Sequence, residues 1–299
     1  MFSTILSAAV VGIEACPVQV EADICDGLPQ FCMVGDLSRE VQEAADRVRT
    51  ALRNTNITLP PRRITVNLSP AHIRKEGTGF DLPVAAALLA ALGILREQDT
   101  EDVLIVGEIG LNGRVRPVNG VLQTVMLARE LGCRRCLVPR ENAGEGAVVR
   151  EVQVVGVETL GELITCLQDG QACAERAVRP AEWMAGQGAY REDFREVNGQ
   201  HAVRRAAEIA AAGMHNLLMV GSPGAGKTMV ARRMPSILPG LTLEESLEIS
   251  RVYSACGLLT GKEGLVDLRP FRAPHHTISP NALAGGGRRV KPGEISLAT

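Results

Sequence analysis

The chain contains little lysine and few aromatic residues. Lysine occurs only at positions 75, 227, 262 and 291, and aromatic residues make up 3% of the 299 residues. Hydrophobic residues are 45% of the total, so the core must be built mainly from aliphatic side chains. The formal net charge is −2, so no overall field draws the chain to nucleic acid or to a membrane surface. Any binding to such partners has to be local.

Long apolar runs are absent as well. The most apolar stretch, residues 82–92, is too short to cross a bilayer, and the N-terminus lacks the basic region of a signal peptide. Eight cysteines are scattered along the chain, and the close pair Cys133 and Cys136 has no second pair at the spacing of a zinc ribbon. Free thiols fit a reducing compartment. We therefore expect a cytoplasmic chain with no membrane partner.

Hydrophobic periodicity predicts a mixed α/β domain over residues 1–168. An amphipathic stretch at 37–53 predicts a helix. A helix over 82–92 is apolar on nearly all sides and should lie at the centre of the core, with Asp81 as its N-cap. The predicted strands are 2–13, 18–22, 31–34, 64–68, 103–106, 115, 136–138 and 152–155, and the remaining helices are 120–131 and 158–167.

A linker and a second domain are expected to follow. Residues 169–192 lack aliphatic periodicity and are rich in Gly, Ala, Glu and Gln, which predicts a linker before a domain at 193–299. The predicted elements of this second domain are helix 201–212, strand 216–220, a helix to about 234 that Pro235 ends, and a helix over 243–255 opened by the capping box of Thr242 and Glu245.

The loop after the predicted strand 216–220 has the spacing of a phosphate-binding loop. Its glycines let the backbone fold round an anion with N–H groups turned inward, and the next helix adds its positive N-terminal end. Lys227 should reach the β- and γ-phosphates of ATP or GTP, and the Thr228 hydroxyl should coordinate Mg²⁺. The predicted nucleotide-binding residues of the loop are Gly221, Ser222, Pro223, Gly224, Ala225, Gly226, Lys227 and Thr228.

Besides the loop, four segments of the second domain form a distinctive pattern: 193–200 (DFREVNGQ), 269–279 (RPFRAPHHTIS), 282–287 (ALAGGG) and 291–298 (KPGEISLA). Through these segments the second domain resembles the magnesium-chelatase-like AAA+ ATPases, in the bacterial YifB/ComM group. Through residues 75–81 and 107–117, the N-terminal domain is similar to the Lon protease fold, a ribosomal S5 domain 2-like α/β fold. The resemblance therefore implies a Lon-like α/β domain followed by part of a P-loop AAA+ domain.

This resemblance implies a hexamer-type ring ATPase that acts on DNA in competence and recombination, as a branch-migration helicase does. It implies ATP with Mg²⁺ as the ligand and places Val197 at the adenine. Two alternatives stay open: a chelatase-type ATPase that remodels a protein, and a module that binds nucleotide without turnover. A Lon-type peptidase is excluded at this site because residues 77–83 hold no serine and residues 76–226 hold no lysine.

The chain stops at Thr299, where the family continues into an acidic Walker B strand. It therefore looks like a truncated member, without the family's Walker B acids, sensor, arginine finger and lid. Phosphoryl transfer needs such groups to hold the metal and position water. No catalytic residue can be assigned from this sequence, so whether the chain is itself an enzyme stays open.

Residues 269–291 hold the candidates for contact with DNA or with a ring pore. Adjacent His275 and His276 suggest a metal site, but in a strand they would point to opposite faces, and no carboxylate or cysteine lies between 269 and 282. A structural role and a role in DNA contact both stay open for them. The charges that predict a local phosphate-contacting patch are those of Arg269, Arg272, Arg288, Arg289 and Lys291.

Overall fold

The computed structural model describes residues 1–169, 189–259, 264–286 and 291–298. The chain divides into two compact units, which are Met1–Arg179 with Ser250–Leu265, and Pro180–Ile249 with Val266–Thr299. The predicted linker lies almost wholly outside the described residues, so the predicted domain boundaries stay predictions.

The first unit is built on a seven-stranded mixed sheet, and a separate pair of short strands lies beside it. Its strands are β1 (Phe2–Val11), β2 (Glu14–Cys25), β3 (Gln30–Val34), β4 (Arg63–Ser69), β5 (Val103–Ile105), β6 (Glu108–Ile109), β7 (Val115–Arg116), β8 (Arg135–Pro139) and β9 (Gln153–Val157). The sheet order is β3-β4-β2-β1-β5-β8-β9, and β6 pairs with β7. β1, β2 and β4 are antiparallel neighbours, whereas the outer pairings are parallel.

Helices cover this sheet. The helix predicted over 37–53 is present but is interrupted at Glu43, which separates two helices. Its predicted apolar face is buried, since Val41, Val48 and Leu52 have no exposed surface. The helices of the first unit are α1 (Arg39–Gln42), α2 (Ala44–Asn54), α3 (Asp81–Ala91), α4 (Glu97–Thr100), α5 (Val121–Glu130), α6 (Ala143–Gly146) and α7 (Leu160–Asp169).

Helix α3 lies at the centre of the core, as its sequence predicts. Leu82, Leu88 and Leu89 have no exposed surface, and the helix packs against β1, β2 and α2. The surrounding side chains are aliphatic and come from β1, β2, β4, β5, α2 and α7. A helix that is apolar on all sides can bury its whole surface only at the centre of a core.

The predicted N-cap role of Asp81 is wrong. The N-cap of α3 is Phe80, and the buried Asp81 carboxylate instead accepts two hydrogen bonds of 2.8 Å from the Arg47 guanidinium on α2. It also accepts one of 3.3 Å from the Ile109 amide. Burial raises the pKa of Asp81, and the Arg47 hydrogen bond opposes this shift. Asp81 therefore joins α2, α3 and β6 rather than capping its own helix.

A segment that follows the phosphate-binding loop in sequence, Ser250–Leu265, belongs to the first unit. The Ser254 hydroxyl donates to the carboxylate of Glu145 on α6 and lies 2.8 Å from the amide oxygen of Gln123 on α5. The Gly120 amide donates to the Ser254 carbonyl over 3.0 Å. Ser254 therefore lies in the interior of the first unit, among the buried side chains of Gln123 and Glu145.

The second unit is mainly helical in its described part. Its elements are helices α8 (His201–Gly213), α9 (Lys227–Arg233), α10 (Leu243–Ala255, whose last residues belong to the first unit), α11 (Pro280–Ala284) and α12 (Glu294–Leu297), and the short strands β10 (Gly285–Gly286) and β11 (Lys291–Pro292). The predicted capping box is confirmed, because Thr242 and Glu245 exchange reciprocal hydrogen bonds of 2.9 and 3.2 Å. No helix among the described residues is long and apolar enough to cross a membrane.

The strand predicted over 216–220 is not formed. Its side chains still alternate: Leu217 and Met219 pack on a buried cluster, while Leu218 and Val220 are each 87% exposed. A strand requires a neighbour to accept its backbone hydrogen bonds. In the described part of the second unit, the strands that pair are the two-residue β10 and β11, which pair with each other. The segment is therefore not paired with another strand among the described residues.

Candidate functional site

The candidate nucleotide site is the loop that leads into α9. Gly224 and Gly226 have φ of 80° and 85°, in the left-handed region that favours glycine, and Gly226 is the N-cap of the helix. A side chain at Gly224 would meet no atom within 4 Å. The requirement for glycine at this position is thus conformational and does not come from crowding.

Lys227 folds its side chain back over the loop. Its ammonium group donates hydrogen bonds of 2.8 Å to the carbonyls of Gly221 and Ser222. The helix begins at once, since the Val230 amide donates to the Gly226 carbonyl over 3.0 Å. The Thr228 side chain is exposed. Lys227, Thr228 and the loop backbone therefore lie together at one accessible place.

Ser222, Pro223 and Ala225 complete the loop and are exposed. The Ala225 amide donates to the Ser222 carbonyl over 3.3 Å, which closes a tight turn. Loops of this kind present backbone N–H groups to an anion, and the Lys227 ammonium lies over the same loop. The residues present therefore fit a nucleotide phosphate chain.

The segment that the resemblance places near the adenine is joined to the same helix. Val197 is fully buried and belongs to a cluster with Phe194, Ala207 and the α9 residue Val230. Because its side chain is enclosed, contact of Val197 with a base would use its backbone.

Arg233, at the end of α9, strengthens this link. It donates to the Glu196 carboxylate over 2.7 and 3.0 Å and to Glu192 over 3.4 Å. The Ser236 hydroxyl in turn accepts from the Phe194 amide over 2.9 Å. These contacts fix the segment 193–197 against the helix that starts at the loop. Arg233 was not predicted from sequence, although the acidic residues of 192–196 offered it partners.

Arg269, a predicted DNA contact, is engaged in internal contacts. Its guanidinium donates to both carboxylate oxygens of Glu245, over 2.8 and 3.0 Å, and to the Pro239 carbonyl over 2.8 Å. The Arg269 backbone amide donates to the Tyr190 hydroxyl over 2.9 Å. The arginine lowers the pKa of Glu245, mainly through this hydrogen bond. Arg269 is thus a structural anchor whose charge is balanced within the second unit.

Arg272 forms a second pair of the same kind. Its guanidinium donates to the two carboxylate oxygens of Glu294 over 2.6 and 2.7 Å, and this lowers the pKa of Glu294. Bidentate pairs of this type are geometrically specific. Glu245 and Glu294 were not recognised from sequence as the partners of these arginines. Both glutamates lie outside residues 269–291, so nothing within that basic region indicated these pairs.

The prediction that His275 and His276 point to opposite faces is wrong. The segment is not a strand, and the two exposed rings lie with centroids 4.1 Å apart and planes tilted by 37°. His275 Nδ1 lies 2.7 Å from the Thr277 hydroxyl. The Ile278 amide donates to the His275 carbonyl over 2.9 Å, so the chain turns here. Among described residues, no group of three or more metal-ligating side chains occurs.

The remaining predicted basic residues are distributed differently. Lys291 is exposed at the start of β11. Arg288 and Arg289 lie outside the described residues. The structure therefore brings Arg272 and His275 together around one open cavity of about 440 Å³, whose lining does not include Arg269 or Lys291.

Comparison with known proteins assigns the chain to a family. Residues 193–299 match the family model described as magnesium chelatase, subunit ChlI, and residues 20–142 match the model described as subunit ChlI of Mg-chelatase. The chain is 41% identical over 290 residues to the uncharacterized protein YifB of Salmonella typhimurium, covering 97% of this chain and 56% of that protein. It is 39% identical over 299 residues to the competence protein ComM of Haemophilus influenzae, covering 99% and 58%.

A shorter match supports a Lon-like domain in the chain. The chain is 31% identical over 130 residues to the Lon protease of Dictyoglomus thermophilum, covering 41% of this chain and 16% of that protein. The chain spans 56–58% of the length of YifB and ComM. The two family models and these relatives match a chain with a Lon-like α/β domain and a P-loop domain. The chain therefore belongs to the magnesium-chelatase ChlI-like family, in the group of YifB and ComM.

Proposed function

We propose that the chain binds ATP with Mg²⁺ through residues 221–228, as part of a cytoplasmic ring ATPase that acts on DNA. The observation that carries the nucleotide proposal is the loop itself. Its glycine conformations, the Lys227 ammonium and the exposed Thr228 hydroxyl lie together at the start of a helix. Such loops bind phosphates through backbone N–H groups and a lysine.

Lys227 would exchange partners when the nucleotide binds. Its hydrogen bonds to the Gly221 and Ser222 carbonyls are contacts with neutral groups. A phosphate oxygen carries a full negative charge, so it adds a Coulombic attraction to the ammonium group that a neutral carbonyl does not offer. The ammonium group therefore favours the phosphate over the loop carbonyls. Bound Mg²⁺ would neutralise charge on the phosphates, with Thr228 as its protein ligand.

Binding is proposed without appreciable turnover by the 299-residue chain. The acids that follow the loop include Glu245 and Glu294, and both are paired with arginines. An acid held in this way is poorly placed to hold Mg²⁺ or orient water, which phosphoryl transfer requires. The proposed activity of the longer family member would thus depend on groups beyond those assigned in this chain.

The DNA proposal is supported by similarity. One relative, from Haemophilus influenzae, is named a competence protein. For the full-length family member we propose a homo-oligomeric ring of hexamer type that moves DNA in recombination, with branch migration as its task. A second candidate is favoured by the names of the family models, which describe a chelatase subunit. It would be an ATPase that remodels a protein partner. Stimulation of the full-length ATPase by branched DNA would support the first and contradict the second.

Titration calorimetry with ATP and Mg²⁺ tests the nucleotide site. Lys227→Ala removes a charge-assisted contact worth about 1.5–3 kcal/mol, so affinity should fall by at least tenfold. Arg232→Ala is the matched control, because Arg232 is an exposed cation on the same helix outside the loop. It should leave the affinity unchanged. Equal affinities for the Lys227→Ala and wild-type chains would refute the site.

A further inference from the structure

The loop 271–278 is held in a fixed shape by its neighbours. Just before it, Arg269 is bound by Glu245 and the Pro239 carbonyl, and within it Arg272 is bound by Glu294. At its end, the Ser279 hydroxyl accepts from the Ala282 amide over 3.2 Å and caps α11. A segment anchored in this way loses little conformational entropy when a ligand binds.

The loop encloses one side of the open cavity and presents flat groups to solvent. The cavity volume of about 440 Å³ lies toward the small end of ligand sites. Phe271 is 43% exposed, and the exposed imidazoles of His275 and His276 lie against each other. The lining combines an aromatic ring, an imidazole and a guanidinium plane fixed by a carboxylate, from Phe271, Arg272, His275 and Glu294, with the apolar side chains of Pro274 and Ile278.

The charge balance of this surface argues against binding to a duplex backbone. Contact with duplex DNA relies on unpaired cations that neutralise phosphates. Here the guanidinium groups of Arg269 and Arg272 each face a carboxylate within 3 Å. The positive charges of these two arginines are therefore neutralised by carboxylates, whereas the flat side chains of the loop are exposed. In a duplex the faces of the bases are already stacked on one another, so such side chains can reach only unpaired bases.

We propose that the cavity bordered by Phe271, Arg272 and His275 takes an unpaired nucleobase of single-stranded nucleic acid by stacking. This deepens the proposed function, since it rests on DNA as the substrate and specifies its single-stranded form. Stacking on an aromatic side chain is worth about 1–3 kcal/mol per base and tolerates any base. Binding by one chain is weak, and it depends little on salt because few phosphates are neutralised.

The test is photocrosslinking of the 299-residue chain to an oligo-dT in which 5-bromodeoxyuridine replaces some thymines. After proteolysis, mass spectrometry should find adducts on peptides that contain Phe271 or His275. Phe271→Leu keeps an apolar side chain but removes the ring, and should lower the adduct yield roughly 5- to 150-fold, the fold-change that 1–3 kcal/mol represents. Phe2→Leu is the matched control, because Phe2 is 69% exposed in the first unit. It should leave the yield unchanged.

Three further arms complete the design. The same sequence as a duplex should give little adduct at these peptides, and a bromouridine RNA strand distinguishes RNA from DNA as the source of the base. Phe271→Tyr should restore crosslinking. ATP affinity, measured in parallel, should be the same in Phe271→Leu and wild type. If the wild-type chain does not bind ATP, the proposed function has failed, and this outcome is distinct from a failure of the stacking inference. Adducts that persist in Phe271→Leu, or that form equally with duplex, would overturn the inference.

Discussion

Replacing Arg47 by Met should destabilise the first unit strongly. The change removes the two 2.8 Å hydrogen bonds that Arg47 donates to Asp81. The Asp81 carboxylate is fully buried, and it would still accept the hydrogen bond of the Ile109 amide. Removing one partner of a buried ion pair typically costs 3–5 kcal/mol. Arg47 itself is 21% exposed, so water can partly compensate, and we expect about 3 kcal/mol.

The loss of unfolding free energy caused by Arg47→Met should depend on pH. Burial already raises the pKa of Asp81 in the folded chain, and losing Arg47 raises it further. A carboxyl group whose folded pKa lies above its unfolded value, about 3.9, favours folding when protonated and loses that contribution as pH rises through the folded pKa. The difference between Arg47→Met and wild type should therefore be small near pH 4 and grow toward pH 8.

Urea unfolding followed by circular dichroism measures this difference. The chain has two units, so two transitions are expected, and ATP should shift only the one that belongs to the second unit. Arg39→Met is the matched control. Arg39 is 89% exposed and pairs with Glu43 on the surface, which is worth at most about 0.5 kcal/mol. A cost below 1 kcal/mol at pH 8 for Arg47→Met, or one that does not grow with pH, would refute the reasoning.

Two further predictions concern turnover and the interior of the first unit. The purified 299-residue chain should hydrolyse ATP far more slowly than once per second, since no group for metal and water placement is assigned after the loop; a phosphate-release assay measures this, and turnover near one per second would contradict it. Ser254→Ala should lower the free energy of unfolding by about 1–3 kcal/mol, because it leaves the buried Gln123 and Glu145 side chains without their hydroxyl partner. Urea unfolding measures this change, and an unchanged midpoint would contradict the stabilising role of the Ser254 hydroxyl.

Features that depend on near neighbours in sequence were predictable. Helix α3 is apolar on every side, which leaves the centre of a core as its position, and the structure places it there. The capping box of Thr242 and Glu245 is a contact across three residues and was found for the same reason. The phosphate-binding loop is likewise a continuous segment, and its glycine conformations follow from its spacing.

Features that depend on distant partners were missed. Asp81 fits the pattern of an N-cap, but its carboxylate is held by Arg47, which is 34 residues away. The segment 216–220 has the alternation of a strand, yet pairing needs a neighbouring strand that alternation cannot supply. The paired histidines were misjudged because opposite orientation holds only in a strand, and the chain turns there instead.

The arginines of residues 269–272 show how such distant contacts change a functional interpretation. As sequence, they add positive charge next to a histidine pair and predict a phosphate-contacting surface. In the fold, carboxylates 24 and 22 residues away neutralise both of them, and their positions are fixed by bidentate geometry. The same residues then support a loop whose exposed side chains include the rings of Phe271, His275 and His276. Contact with nucleic acid at this loop would therefore be governed by stacking. Any salt-dependent attraction would come from cations elsewhere in the chain or from the ring that we propose for the full-length protein.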